Sequence, residues 1–88
     1  MPAITVHLPA SVTAPEPARD VACKAVTVGD ALLAVVAQAP RFERYLFYGE
    51  RLLVTVALNG RHLPPSEVKA TLVASGDRVD VLPPVAGG

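Results

Sequence analysis

Hydrophobic and polar positions alternate from the start of the chain. Ile4, Val6 and Leu8 fall on one face, Thr5 and His7 on the other. This period of two predicts a half-buried strand over residues 4–8, stopped by Pro9. Residues 9–20 hold Pro9, Pro15 and Pro17 with little hydrophobic pattern, which predicts a loop. A second alternation predicts a strand over 21–26, with Val21, Cys23 and Ala25 inward and Lys24 outward. The period then changes. Val28, Ala31, Leu32, Val35, Val36 and Ala39 mark one face of a helix of about 12 residues, ~18 Å long. Thr27, with Asp30 three residues later, resembles a capping box at its start, and Pro40 ends it.

Residues 41–51 read as a polar-aromatic connection. Leu52 to Leu58 reads as one apolar strand. Asn59-Gly60 signals a hairpin turn, and Arg61-His62-Leu63 a short pairing segment cut by Pro64-Pro65. Residues 66–72 fit neither period. Gly76-Asp77 marks another turn, Val79 to Leu82 a last strand, and Pro83-Pro84 the end of regular pairing. The expected organisation is a domain over residues 1–84 and a mobile tail over 85–88. The order is strand, strand, helix, strand, short strand, strand, an α+β arrangement. One helix covers one face of such a sheet and leaves the other partly open to partners.

Composition narrows the classes. Eighty-eight residues make one small domain, and 51% hydrophobic content suits a globular core. Eight basic and eight acidic residues balance, without a Lys/Arg run that would favour nucleic acid or anionic membrane. The longest apolar run, Ala31 to Ala37, is far short of the roughly 20 residues that span a bilayer. Met1 to Val6 do not read as a signal peptide. The single cysteine, Cys23, excludes an internal disulfide and fits a reducing cytoplasm.

Internal chemistry is sparse. His7 and His62 have no acid or cysteine at ligand spacing, so no metal site is expected. Cys23 reads better as a small buried hydrophobe than as a nucleophile. Phe42, Tyr45, Phe47 and Tyr48 read as a cap on the core; the sharper alternative is an exposed part that docks a partner. Arg61 and Arg78 read as solvated charges. No Ser-His-Asp pattern or phosphate-cradling glycine loop is recognisable.

The end of the chain is different. Gly is about 7% of residues, so a terminal Gly-Gly arises by chance in roughly one chain in 200. A frayed end is the plain reading. Here, however, Gly87-Gly88 follows a strand and two prolines. A carboxylate is a poor electrophile until a leaving group such as AMP is attached to it. Two glycines pass a narrow activating site without side-chain clash, and Pro83-Pro84 stiffen the stem behind them.

The segment Gly76-Asp77-Arg78-Val79-Asp80-Val81-Leu82-Pro83-Pro84-Val85-Ala86-Gly87-Gly88 resembles the C-terminal signature of the MoaD/ThiS family of ubiquitin-like sulfur carriers. Thr27-Val28-Gly29-Asp30-Ala31-Leu32 and Val54-Thr55-Val56-Ala57-Leu58-Asn59-Gly60 match more loosely. The Pro-rich residues 9–20 depart from the Arg/Leu/Ala/Gly-rich segment that members often carry there. The resemblance implies a β-grasp fold: a mixed sheet of four to five strands on one main helix, with a flexible Gly-Gly tail. It implies a carrier, not an enzyme, with no stably bound cofactor and no metal. An adenylyltransferase like the ubiquitin-activating enzyme would use ATP on the Gly88 carboxylate, with Gly87 beside it. A persulfide protein would supply sulfur, giving a C-terminal thioglycine. Pro83, Pro84, Val85 and Ala86 would contact partners. The ending looks most like the small subunit of molybdopterin synthase, whose acceptor partner is the large subunit. Thiamine, cysteine and natural-product pathways, or conjugation to protein amines through Gly88, are the alternatives.

Overall fold

The computed structural model describes residues 1–83. The alternating N-terminal segment forms strand β1 (Ala3–Leu8), with Ile4, Val6 and Leu8 buried. Residues 9–20 are not all loop. Ala10–Thr13 makes one helical turn, α1, and strand β2 begins at Arg19 and runs to Lys24. The turn holds because the buried Thr13 hydroxyl lies 3.3, 3.1 and 2.9 Å from the carbonyl oxygens of Pro9, Glu16 and Pro17. Those contacts are irregular in spacing and leave no periodic trace. β2 is thus two residues earlier at each end than its alternation predicts. Its phase is as expected: Val21 is buried, Cys23 half-buried and Lys24 exposed.

Helix α2 (Val28–Gln38) follows the predicted face, burying Val28, Ala31, Leu32 and Val35. The Thr27 hydroxyl accepts a hydrogen bond from the Asp30 amide at 3.1 Å, the forward half of a capping box. Gly29 has a packing reason. A Cβ there would stand 3.1 Å from the Lys69 Cα, so the first turn of α2 can lie this close to the following backbone only with glycine. After α2, Pro40–Phe42 forms a 3₁₀ turn and Glu43–Leu46 a helical turn, α3.

The apolar run 52–58 is not one strand. β3 (Phe47–Tyr48) and β4 (Arg51–Leu52) make a small separate hairpin, and only β5 (Thr55–Leu58) enters the main sheet. The Leu53 amide donates to the Leu46 carbonyl at 2.8 Å, which commits this part of the chain to the hairpin side. β6 (Arg61–Leu63), the short helix α4 (Pro65–Val68) and β7 (Arg78–Leu82) complete the order.

The main sheet runs β2-β1-β7-β5-β6. β1 and β7 are parallel, and the other neighbours are antiparallel. The mixed five-stranded sheet and its one long helix are the predicted α+β, ubiquitin-like β-grasp. Val6, Leu8, Val56, Val79 and Val81 from the sheet and Leu32 and Val35 from α2 form one core. Full burial of a Leu or Val side chain contributes about 1.5–3 kcal/mol, so this layer dominates stability.

The aromatic residues divide. Phe42 is buried and Phe47 packs partly against the core, whereas Tyr45 is exposed and Tyr48 is 78% exposed. The expected single cap is therefore half core and half surface. The reason is local: α3 turns Leu46, not Tyr45, toward the interior.

Candidate functional site

β7 is the central strand, and its direction decides where the end of the chain emerges. Leu82 pairs with Thr55 of β5, and His7 of β1 pairs with Asp80. Both neighbours hold β7 up to Leu82, so the chain leaves from the middle of one end of the sheet. Pro83 follows, exposed and outside the strand. Its missing N–H and fixed φ end the ladder there. Of the residues expected to act, Pro83 is placed at this exit. Pro84, Val85, Ala86, Gly87 and Gly88 lie outside the described residues.

The opposite end of β7 is tied down. Asn59 (φ +51°) and Gly60 (φ +86°) form the predicted turn between β5 and β6. The Asn59 side chain donates to the Asp77 carboxylate at 3.0 Å and accepts from the Arg78 amide at 2.9 Å. The Ala74 amide donates to the other Asp77 oxygen at 2.8 Å. The Ala74 and Asn59 hydrogen bonds hold the Asp77 carboxyl below its ordinary pKa, because both favour the charged form.

The sheet face away from α2 is polar. His7 Nδ1 lies 2.7 Å from the Asp20 carboxylate, and Arg78 bridges Asp80 at 3.0 Å and Asp20 at 3.7 Å. Arg78 is thus an ion-paired residue, not the free solvated charge its sequence context predicts. These groups are part-exposed, so each pair contributes no more than about 1 kcal/mol. His62 is exposed on β6. No group of three His, Cys, Asp or Glu able to hold a metal occurs among the described residues. Cys23 is half-buried, with Sγ 4.0 Å from the Ala31 carbonyl oxygen. Burial pushes its thiol pKa up, the opposite of an activated nucleophile.

A set of arginines that sequence reasoning passed over stands at the exit end. Arg41 Nη2 is 2.6 Å from Glu16, and its guanidinium lies 4.7 Å from the Phe42 ring centre. Arg19 reaches the same ring at 5.3 Å and the same Glu16 at 3.8 Å. Arg44 stacks 4.9 Å from the Tyr45 ring and donates to the Tyr45 hydroxyl at 2.7 Å. The available signal was the alternation of Arg and aromatic residues over Arg41, Phe42, Arg44 and Tyr45. On the other flank, Leu33, Phe47, Leu52 and Val68 line a shallow, mostly apolar groove of about 830 Å³ between α2, the β3–β4 hairpin and α4.

A β-grasp domain whose central strand delivers the chain end to one pole is a presenting scaffold, the architecture of the ubiquitin-like carriers and modifiers. The comparisons give the lineage: residues 9–88 match the ThiS family, and the chain belongs to it. No curated protein matches by sequence. Among solved structures, SAMP1 from Haloferax volcanii is 30% identical, covers 98% of this chain and 99% of its own, and superposes with a TM-score of 0.71. The Amycolatopsis orientalis BexX/CysO complex contains a chain 28% identical, covering 97% of this chain and 99% of its own, with a TM-score of 0.75. A complex of subunits 1 and 2 of the molybdopterin-converting factor from Helicobacter pylori contains a chain only 23% identical, with a TM-score of 0.66. It covers 98% of this chain and 99% of its own, and shows the fold alone. Among the described residues, no helix is long and apolar enough to cross a membrane.

Proposed function

We propose that this protein carries sulfur as a thiocarboxylate on Gly88 and delivers it in cofactor biosynthesis, with molybdopterin as the leading pathway. The observation that carries the reading is the course of β7, read with the family match over residues 9–88. The central strand ends in an exposed proline, and the Gly87-Gly88 pair follows five and six residues after Leu82. In the proposed reaction, the Gly88 carboxylate attacks the α-phosphorus of ATP in the activating enzyme and pyrophosphate leaves. The terminal sulfur of a persulfide attacks the acyl carbon and AMP leaves. A second thiol then cleaves the acyl disulfide, releasing the thiocarboxylate and a new disulfide. The domain is recognised and the tail reacts, in a reducing cytoplasm. The Pro-Pro-Val-Ala-Gly-Gly ending supports the molybdopterin branch, with the large synthase subunit as acceptor.

A second reading is favoured by the 30% identity to a protein called a small archaeal modifier: attack on the same acyl-adenylate by a lysine amine, giving an isopeptide. One experiment separates the two. The protein is incubated with the adenylating enzyme of its own genome, ATP and sulfide, and its intact mass is measured. Exchange of one oxygen for sulfur supports the carrier. Gly88-linked ladders in cell extract, without that exchange, support the modifier. Addition of the large synthase subunit and the cyclic pyranopterin precursor then tests the pathway, and failure to consume the thiocarboxylate would sink the molybdopterin branch.

A further inference from the structure

We infer that Arg19, Arg41 and Arg44 form a docking collar for a carboxylate-bearing surface on the enzyme that activates the tail. The inference rests on the carrier reading above and goes on to name the surface and its partner's chemistry.

Position is the first ground. Arg19 pairs with Leu8, and β1 runs parallel to β7 with His7 beside Asp80, so Leu8 stands beside Val81. Arg19 is therefore two strands from Val81, roughly 10 Å across the sheet. Arg41 shares its ring and its carboxylate with Arg19, which places it on the same rim. From Pro83 to Gly88 the chain spans at most ~20 Å. An enzyme that encloses Gly88 and also recognises the domain must meet this end. An interface of ordinary size covers about 800 Å² per partner, a disc of roughly 16 Å radius. Centred on the exit of β7, it reaches the arginines.

Charge is the second ground. The whole chain is neutral, yet three guanidinium groups gather here. Glu16 is the carboxylate that pairs with them; Glu43 lines the same cleft without an ion pair, and Arg44 has no carboxylate partner among the described residues. Arg78, Asp20 and Asp80 neutralise one another on the polar sheet face. The excess is positive, and the surface that complements it is acidic.

Preorganisation is the third. Each arginine is held flat on an aromatic ring, so it loses less rotamer freedom on binding, and Arg and Tyr recur among the residues that dominate interfaces. Glu16, which orients two of the three, lies in the Pro-rich segment that departs from the family pattern. The collar is thus tied to the part of the chain that differs from its relatives, as a feature selecting one partner would be.

The test is ATP–pyrophosphate exchange by the adenylating enzyme of the same genome, with the full-length carrier as the varied substrate. Arg44→Glu and Arg41→Gln/Arg44→Glu are compared with wild type and with Lys24→Glu. Lys24 is exposed and lies ~17 Å further along β2 from Arg19. The expected result is a rise of about tenfold or more in KM for the double variant, with kcat little changed, and a weaker salt dependence than wild type. Lys24→Glu keeps the wild-type KM. Arg44 stacks only on an exposed tyrosine, so its single variant keeps the fold, and thermal melts verify this. Wild-type KM in both arginine variants, with the wild-type carrier turned over, overturns the collar and leaves the carrier reading standing. No exchange with the wild-type carrier overturns both.

Discussion

The two ends of β7 are built in opposite ways. At its start, Asn59, Asp77, Ala74 and Arg78 are joined by hydrogen bonds of 2.8–3.0 Å that tie two turns together. At its finish, the strand runs into Pro83 beside arginines stacked on aromatic rings and served by one glutamate. The first end satisfies its polar groups from within the domain. The second leaves charge and chain for another molecule. One strand anchored at its start and free past its finish can present a substrate without loosening the fold that partners recognise.

The contrast can be broken most completely at the finish. Deleting Gly87 and Gly88 is expected to abolish adenylation while leaving the melting temperature unchanged, because the buried core lies wholly within residues 4–81. Unchanged pathway output after the deletion would refute tail chemistry of any kind.

The start gives the inverse pattern, with a smaller effect. Asn59→Ala removes two hydrogen bonds and a residue suited to positive φ, at a cost of about 1–2 kcal/mol in stability. Urea unfolding reads the loss, and adenylation of the folded variant stays at the wild-type rate. A matching loss of activity in fully folded protein would show that the two ends are coupled.

A subtler probe is acid. Asp77 has a lowered pKa in the folded state, so its stabilisation is complete above the ordinary value of 3.8 and is lost as pH falls through the lower folded value. Wild type is therefore expected to outlast Asp77→Asn at neutral pH, with the gap closing below 3.8. Melting curves over that range check it; a gap independent of pH would assign the effect to shape instead of charge.

The smallest effect concerns Cys23, away from both ends. With its thiol held above the ordinary value of 9.0, alkylation by iodoacetamide near neutral pH is expected to be slower than for a free cysteine. Faster labelling would reopen a sulfur-handling role for this residue.

Legibility along the chain followed the range of the interactions. α2 could be read in full because its cap, its period and its terminating proline are all local. The alternation in β1 and β7 was equally plain, since each strand buries one face. The run 52–58 misled because an unbroken apolar stretch has no phase. Whether Leu52 joins the sheet or a separate hairpin depends on Phe47, its strand partner, and on the Leu46 carbonyl that takes the Leu53 amide. α1 escaped notice because the hydroxyl contacts that hold it come from one threonine among prolines.

The Gly-Gly ending and the strand and prolines before it needed no coordinates to suggest a reactive tail, because their chemistry is a property of adjacent residues. The pole at which the tail emerges, and the company it keeps there, came from folding. Arg19, Arg41 and Arg44 belong to three separate elements and meet because β2 borders β1, which borders β7, while Phe42 packs beneath them. Such a grouping of distant residues is set by strand order and by the burial of one aromatic ring, and spacing along the chain carries no record of either.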